Sequence, residues 1–212
     1  RFYVLLTSFL FSVFLVGFVL FRVDGLQPQI IKLTRYFAFC ALGALYLALL
    51  IGPAVRVFSG LPYKAKLIHA RRAIGVSAFY FAVLHSELAF FGQLGGFGGL
   101  FYLPGKSLLA ISLSFIALLI LSAMTLTSFD FMVRKLTFPR WKFLHRFVYL
   151  AGTLVVIHAF LIGTNFQNLF SPVAVLLYTL LAFLLIMEGL AWDKYIVLTR
   201  PSFPGHGVLT IV

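Results

Sequence analysis

The sequence predicts an all-α integral membrane protein, a six-helix transmembrane bundle, on three observations. The chain of 212 residues is 62% hydrophobic and only 10% charged, with a mean hydropathy of +1.08; an average soluble domain has about a quarter charged residues. The apolar residues fall in long runs, each near the roughly 20 residues that span about 30 Å of hydrocarbon. The cations collect mainly between those runs.

Phe2 to Phe21 carries no charge and is the first span. It has no recognisable signal cleavage site, so it reads as a membrane helix rather than a leader. Arg22, Asp24, Gly25 and Pro28 form a short loop, and Tyr36 to Val55 is the second span. Arg56 to Arg72, with Pro62, Lys64, Lys66, His69 and Arg71, reads as a basic connection. The third span starts near Ala73, passes His85 and is broken by Gly92, Gly95, Gly96, Gly98 and Gly99. Ser107 to Phe129 is the fourth span, and Asp130 to Lys142 is a second basic connection. The fifth span runs from Trp141 to Ile162, a polar turn leads to Pro172, and the sixth ends near Trp192. The connections after spans two and four are rich in Lys and Arg. Those after spans three and five carry Lys106 alone. That bias places both termini in the cytoplasm. A mildly basic first loop (Arg22, Lys32, Arg35) dissents.

Seventeen Lys and Arg against five Asp and Glu give a net charge of +12. Cations that flank spans set orientation and meet anionic lipid, so lipid is the expected partner and nucleic acid is not. The lone Cys40 cannot form an internal disulfide, and no C-x-x-C-H sequence offers covalent haem attachment. The stretch ending at Gly105-Lys106-Ser107 fails as a phosphate loop, because that motif needs Gly where Leu100 stands. The chain starts at Arg1 rather than Met, which is compatible with a fragment of a longer protein.

The chemistry lies in histidines inside apolar segments, where an ionisable group needs a partner. His85 lies about 18 Å along its span from Ala73, and His158 about 25 Å beyond Trp141, at 1.5 Å per residue. Both spans run in the same direction, so the two imidazoles sit at similar depth, as a bis-histidine haem b requires. His145 lies near the basic end as the natural ligand or support of a second redox group. On a straight helix it stands roughly 140° away from His158. Each of these histidines has a bland alternative, a hydrogen bond to a neighbouring helix. His69 reads as a loop residue that could also serve as the partner of His145. His206, in the Pro/Gly tail, is expected to play no part.

Four segments carry a resemblance: R-R-x-x-G at Arg71 to Gly75, L-H at Leu84-His85, W-x-x-L-H-R-x-x-Y-L at Trp141 to Leu150, and I-H at Ile157-His158. Together they resemble the ferric-reductase-like transmembrane domain over about residues 30 to 190. The spacing of the histidines is most similar to a compact bacterial branch, the haem-binding membrane subunit of the periplasmic methionine sulfoxide reductase. The resemblance implies a cytochrome b type bundle in a bacterial inner membrane, with His85 and His158 as outer haem ligands and His145 as the inner histidine. Larger members carry two histidines on the third span. Here the positions thirteen either side of His85 are Arg72 and Gly98, so the number of haems, one or two, stays open.

Arg71, Arg72, Lys142 and Arg146 gather at the basic ends of spans three and five, where they could hold haem propionates or a flavin phosphate, or meet lipid. Trp141 and Tyr149 are placed either to pack on a porphyrin or to anchor at the interface. Glu87 and Glu188 lie near span ends. The metal-ligand candidates are therefore His85, His158 and His145, and the wider cofactor set adds His69, Arg71, Arg72 and Arg146. Residues 1–192 read as the haem-binding membrane domain and 193–212 as a short cytoplasmic tail, too short for a flavin or nicotinamide domain. The expected function is an electron-transfer subunit of an oxidoreductase. Electrons would pass from cytoplasmic FMN, FAD or a flavin reductase, or from membrane quinol, to an extracytoplasmic reductase. One rival is a ferric or cupric reductase or an oxidase core separated from its flavin domain. The other is a haem-free metal transporter.

Overall fold

Helices follow directly from the apolar runs, because hydrocarbon offers no partner to a free backbone N–H or C=O. The computed structural model describes residues 1–166, 168 and 170–199. His206 and the end of the expected tail lie outside them. Among the described residues the elements are α1 (Phe2–Arg22), α2 (Leu26–Val57), α3 (Lys64–Glu87), α4 (Phe97–Leu100), α5 (Gly105–Leu126), α6 (Asp130–Leu136), α7 (Phe138–His145), α8 (Phe147–Ile162) and α9 (Pro172–Thr199). Six stretches are long and apolar enough to cross a membrane, in the order the sequence predicts.

The differences from expectation fall at the ends. α2 begins at Leu26, inside the expected loop. Pro28 is tolerated there because first-turn N–H groups have no helical partner, and Gln29 Nε2 ties the turn to the Val23 carbonyl at 2.7 Å. α3 begins at Lys64, so His69 is a helical residue and not a loop residue. After Pro62 the chain reads K-A-K-L-I-H-A-R-R, mostly strong helix formers with nothing to stop them. The glycine-rich break falls within the expected stretch. α3 passes into a π-helical turn at Leu88–Gln93, and the chain turns at Gly95 and Gly96, whose φ values of 73° and 79° suit glycine. Gly92 lets that turn approach α2, since a Cβ there would fall 2.7 Å from Ile30.

The fifth span is not one helix. α7 ends at His145 and α8 starts at Phe147. Arg146 N bonds the Phe143 carbonyl at 3.1 Å, and Tyr149 N bonds the Arg146 carbonyl at 3.2 Å. These three-residue steps tighten the turn and reset the angular register, so the straight-helix angle between His145 and His158 does not hold.

α3 packs along α2 and α5 along α8, with α9 on α2 and α1 on α3 and α2. Helices come close where side chains are small: Ala78, Ala117 and Ala151 are buried at the centre with Leu45, Leu49, Leu121, Val148 and Leu184. A second cluster, of Val19, Leu33, Phe37 and Phe81, joins α1, α2 and α3. Two hydroxyl pairs also tie α1 to α3, Ser8 to Ser77 at 2.8 Å and Ser12 to Tyr80 at 2.7 Å.

Candidate haem-ligand site

α3 and α8 bring His85 and His158 together. Their ring centres are 6.4 Å apart, with ring planes at 84°. Each ring is held from behind by a different helix. His85 Nδ1 lies 2.9 Å from the Thr34 carbonyl of α2, and His158 Nδ1 lies 2.9 Å from the Ala110 carbonyl of α5. A carbonyl oxygen only accepts, so Nδ1 carries the hydrogen and donates it in both rings. Nε2 then keeps its lone pair, the state in which imidazole binds a metal.

The spacing suits a shared metal. A metal–imidazole bond of about 2 Å, plus about 1 Å from nitrogen to ring centre, puts two rings on opposite sides of one ion about 6 Å apart. The observed ring-centre spacing is thus compatible with the two imidazoles holding one haem iron between them. Among the described residues no three His, Cys, Asp or Glu converge on a point that could hold a bare ion.

A different arrangement stands at the basic end. His145 Nδ1 donates to the Trp141 carbonyl at 3.0 Å. Its ring lies on the Trp141 ring, centres 4.0 Å apart and planes at 30°. Its Nε2 is buried and has no hydrogen-bond partner. Such an orphaned buried atom is rare in a folded protein and points to a ligand. Trp141 is fixed in turn: its Nε1 donates to the Thr127 carbonyl at 3.0 Å, and the Arg72 guanidinium lies 5.5 Å over its ring. Arg72 reaches Asp130 at 2.6 Å, and Arg1 reaches the same carboxylate at 2.8 Å. Hydrogen bonds from Arg1 and then Arg72 hold the Asp130 carboxyl below the usual carboxylate range. Arg71 is occupied elsewhere. Its Nε donates to the Ala48 carbonyl at 2.8 Å, with the guanidinium against Gly52.

The predicted set thus separates into four parts. His85 and His158 meet. His145 and Arg72 join one network with Trp141, and Arg71, also on α3, stands apart from it, bonded to a carbonyl of α2. His69, Lys142 and Arg146 are exposed, and among the described residues the His69 side chain has no hydrogen-bond or ring partner. Sequence reasoning missed Thr34 and Ala110, which act through backbone carbonyls and leave no side-chain signal. It also missed Asp130, whose signal was available: it is the only carboxylate between Ser107 and Met187.

The model of the ferric reductase like transmembrane component matches residues 35–157. The chain belongs to that family. This is a multi-pass membrane family, in keeping with the six candidate spans. Within it, the chain is similar to the protein-methionine-sulfoxide reductase heme-binding subunit MsrQ of Deinococcus radiodurans, at 39% identity over 118 residues, 56% of each chain. The corresponding subunit of an Enterobacter species is 38% identical over 121 residues, 56% of this chain and 57% of that one. The magnetosome protein MamZ of Magnetospirillum gryphiswaldense is 33% identical over 138 residues, 63% of this chain and 20% of that one. The chain thus spans a little over half the length of the first two relatives. No solved structure matches the chain. The match over residues 35–157 takes in His85 and His145, and stops one residue before His158.

Proposed function

We propose that this member of the ferric reductase like family is a transmembrane b-type cytochrome. It takes electrons at its basic, cytoplasmic end from a flavin or a membrane quinol. It delivers them at the far end to an extracytoplasmic partner, in the manner of a methionine sulfoxide reductase subunit. The observation that carries this reading is the His85–His158 pair, with ring centres at 6.4 Å and both Nδ1 atoms engaged. Two relatives named as haem-binding subunits support the choice of group.

Haem b, when bound, supplies a reversible one-electron iron couple tuned by axial ligands and burial. His85 and His158 would hold the iron through Nε2. The Thr34 and Ala110 carbonyls would hold Nδ1–H and so fix the tautomer and the plane of each imidazole. Held by both histidines, the iron would have no position open to a substrate, which suits electron transfer rather than chemistry on a substrate. His145, with Trp141 and Arg72 behind it, would serve a second redox group nearer the donor. A bare-ion transporter has no three-ligand cluster to support it among the described residues.

The test is an optical spectrum of the protein purified from haem-supplied cells, with haem counted by pyridine assay. Dithionite-reducible haem b bands are expected, lost in His85→Ala and in His158→Ala. Full wild-type haem content in both variants would sink the assignment.

A further inference from the structure

Arg71 places a half-buried guanidinium inside the third candidate span, Lys64–Gln93. Of its five N–H donors, only that on Nε has an acceptor among the described residues, the Ala48 carbonyl at 2.8 Å. The rest of the fork lies against Gly52, where a Cβ would come within 3.2 Å of Nη1. Ala48 and Gly52 stand nine and five residues before Val57, the end of α2, about 14 and 8 Å inside it. Arg56 is one turn beyond Gly52 on the same face of α2, and its Nε donates to the Gly52 carbonyl at 3.3 Å. The two cations thus share one ridge of α2 and meet at Gly52. Both act electrostatically on Tyr149 of α8. Among the described residues the ion pairs within 4 Å are the two on Asp130, so neither arginine has one. Glu188, which also acts on Tyr149, accepts a hydrogen bond from that hydroxyl at 3.1 Å and pairs with neither. Like charges one turn apart repel, and a cation inside a span is costly without a counter-ion. The arrangement calls for an anion.

We propose that Arg71 and Arg56 form a phosphate site over Gly52. Two guanidiniums match the charge of a phosphate monoester, and each can grip two of its oxygens. A carboxylate would neutralise only one of them. A flavin phosphate has this chemistry, and an anionic lipid headgroup is its other source. In the first case the inference rests on the electron-carrier reading above, and the two arginines anchor the donor at the basic end. Gly52 is part of the site, because it lets the Arg71 fork lie on the helix and leaves its outer edge open to the ligand.

Flavin fluorescence quenching by the full chain in phosphatidylcholine nanodiscs tests this, with FMN and riboflavin, which differ only in the phosphate, as probes. FMN should bind about tenfold more tightly or better. Arg56→Gln and Arg71→Gln should each remove most of that preference and leave riboflavin binding unchanged. Gly52→Ala, which displaces the Arg71 fork, should weaken it. Arg56 is exposed, so Arg56→Gln reads the site even where Arg71→Gln disturbs folding, and haem content checks each protein. Where the phosphate is a lipid's, the two flavins bind alike, and mass spectrometry of the chain in mild detergent should find a retained phosphatidylglycerol that both Arg→Gln variants lose. No preference for FMN, together with a lipid content that both variants leave unchanged, overturns the site. A wild-type chain that prefers FMN but holds no reducible haem keeps the phosphate site and overturns the electron-carrier reading alone.

Discussion

The two histidine levels use the same residue in opposite ways. At the glycine-rich end, His85 and His158 come from different helices and face each other across 6.4 Å. At the basic end, His145 stands against Trp141, with one buried nitrogen left over. On the proposed reading the first level is a clamp made of two imidazoles. The second supplies one donor nitrogen, an aromatic wall and an ion-paired arginine. Both fix the ring by the same device, Nδ1 on a backbone carbonyl. The partner of His85 and of His158 lies on another helix, whereas that of His145 lies on its own. The clamp therefore depends on how four helices pack, and the single site on one local turn and its neighbours.

The largest test of that contrast is to remove one jaw of the clamp. His85→Ala or His158→Ala should lower haem content at least tenfold, read by pyridine assay. His145→Ala should spare that signal and remove only what a second centre adds, seen as a drop in haem per chain or the loss of one titration phase. If His145→Ala emptied the protein as completely as His85→Ala, the two levels would not be separate.

A smaller effect is expected behind His145. Trp141→Leu removes the ring that the imidazole lies on, along with its bond to the Thr127 carbonyl. It should change the spectrum or potential assigned to His145 and leave the His85–His158 signal in place. Away from both levels, Ser12→Ala breaks one hydroxyl pair between α1 and α3. Such bonds in membranes average about 0.6 kcal/mol, so a small loss in thermal stability and full haem content should follow.

The smallest effect concerns the Asp130 latch on Arg72. Asp130 is held below its ordinary value of about 3.9. A depressed carboxyl contributes stability above the unfolded value and loses it as pH falls through the folded one. The latch should therefore be constant from pH 5 to 8 and weaken only below about pH 4. Asp130→Asn should be nearly silent in a melting curve at pH 7, since exposed ion pairs contribute little. A melting temperature that drifted between pH 5 and 8 in the wild type, and not in Asp130→Asn, would refute this.

Much of this was legible in the residues. Apolar run length marked six spans, and histidine depth alone paired His85 with His158. Other features were hidden for stated reasons. Lys64 to Arg72 looked like a loop because charge masked its helix propensity. The break at Arg146 left no proline or glycine to mark it. Arg71 and Arg72 are adjacent and look equivalent, yet one bonds a carbonyl of α2 and the other an aspartate on α6.

What the sequence by itself determined was the set of spans and the shared level of His85 and His158. Both depend only on run length and rise per residue, which hydrocarbon enforces. The tertiary structure decided which nitrogen of each ring is free. Thr34 and Ala110 take part through main-chain oxygens, a property common to all residues, and packing alone brings those oxygens to the rings.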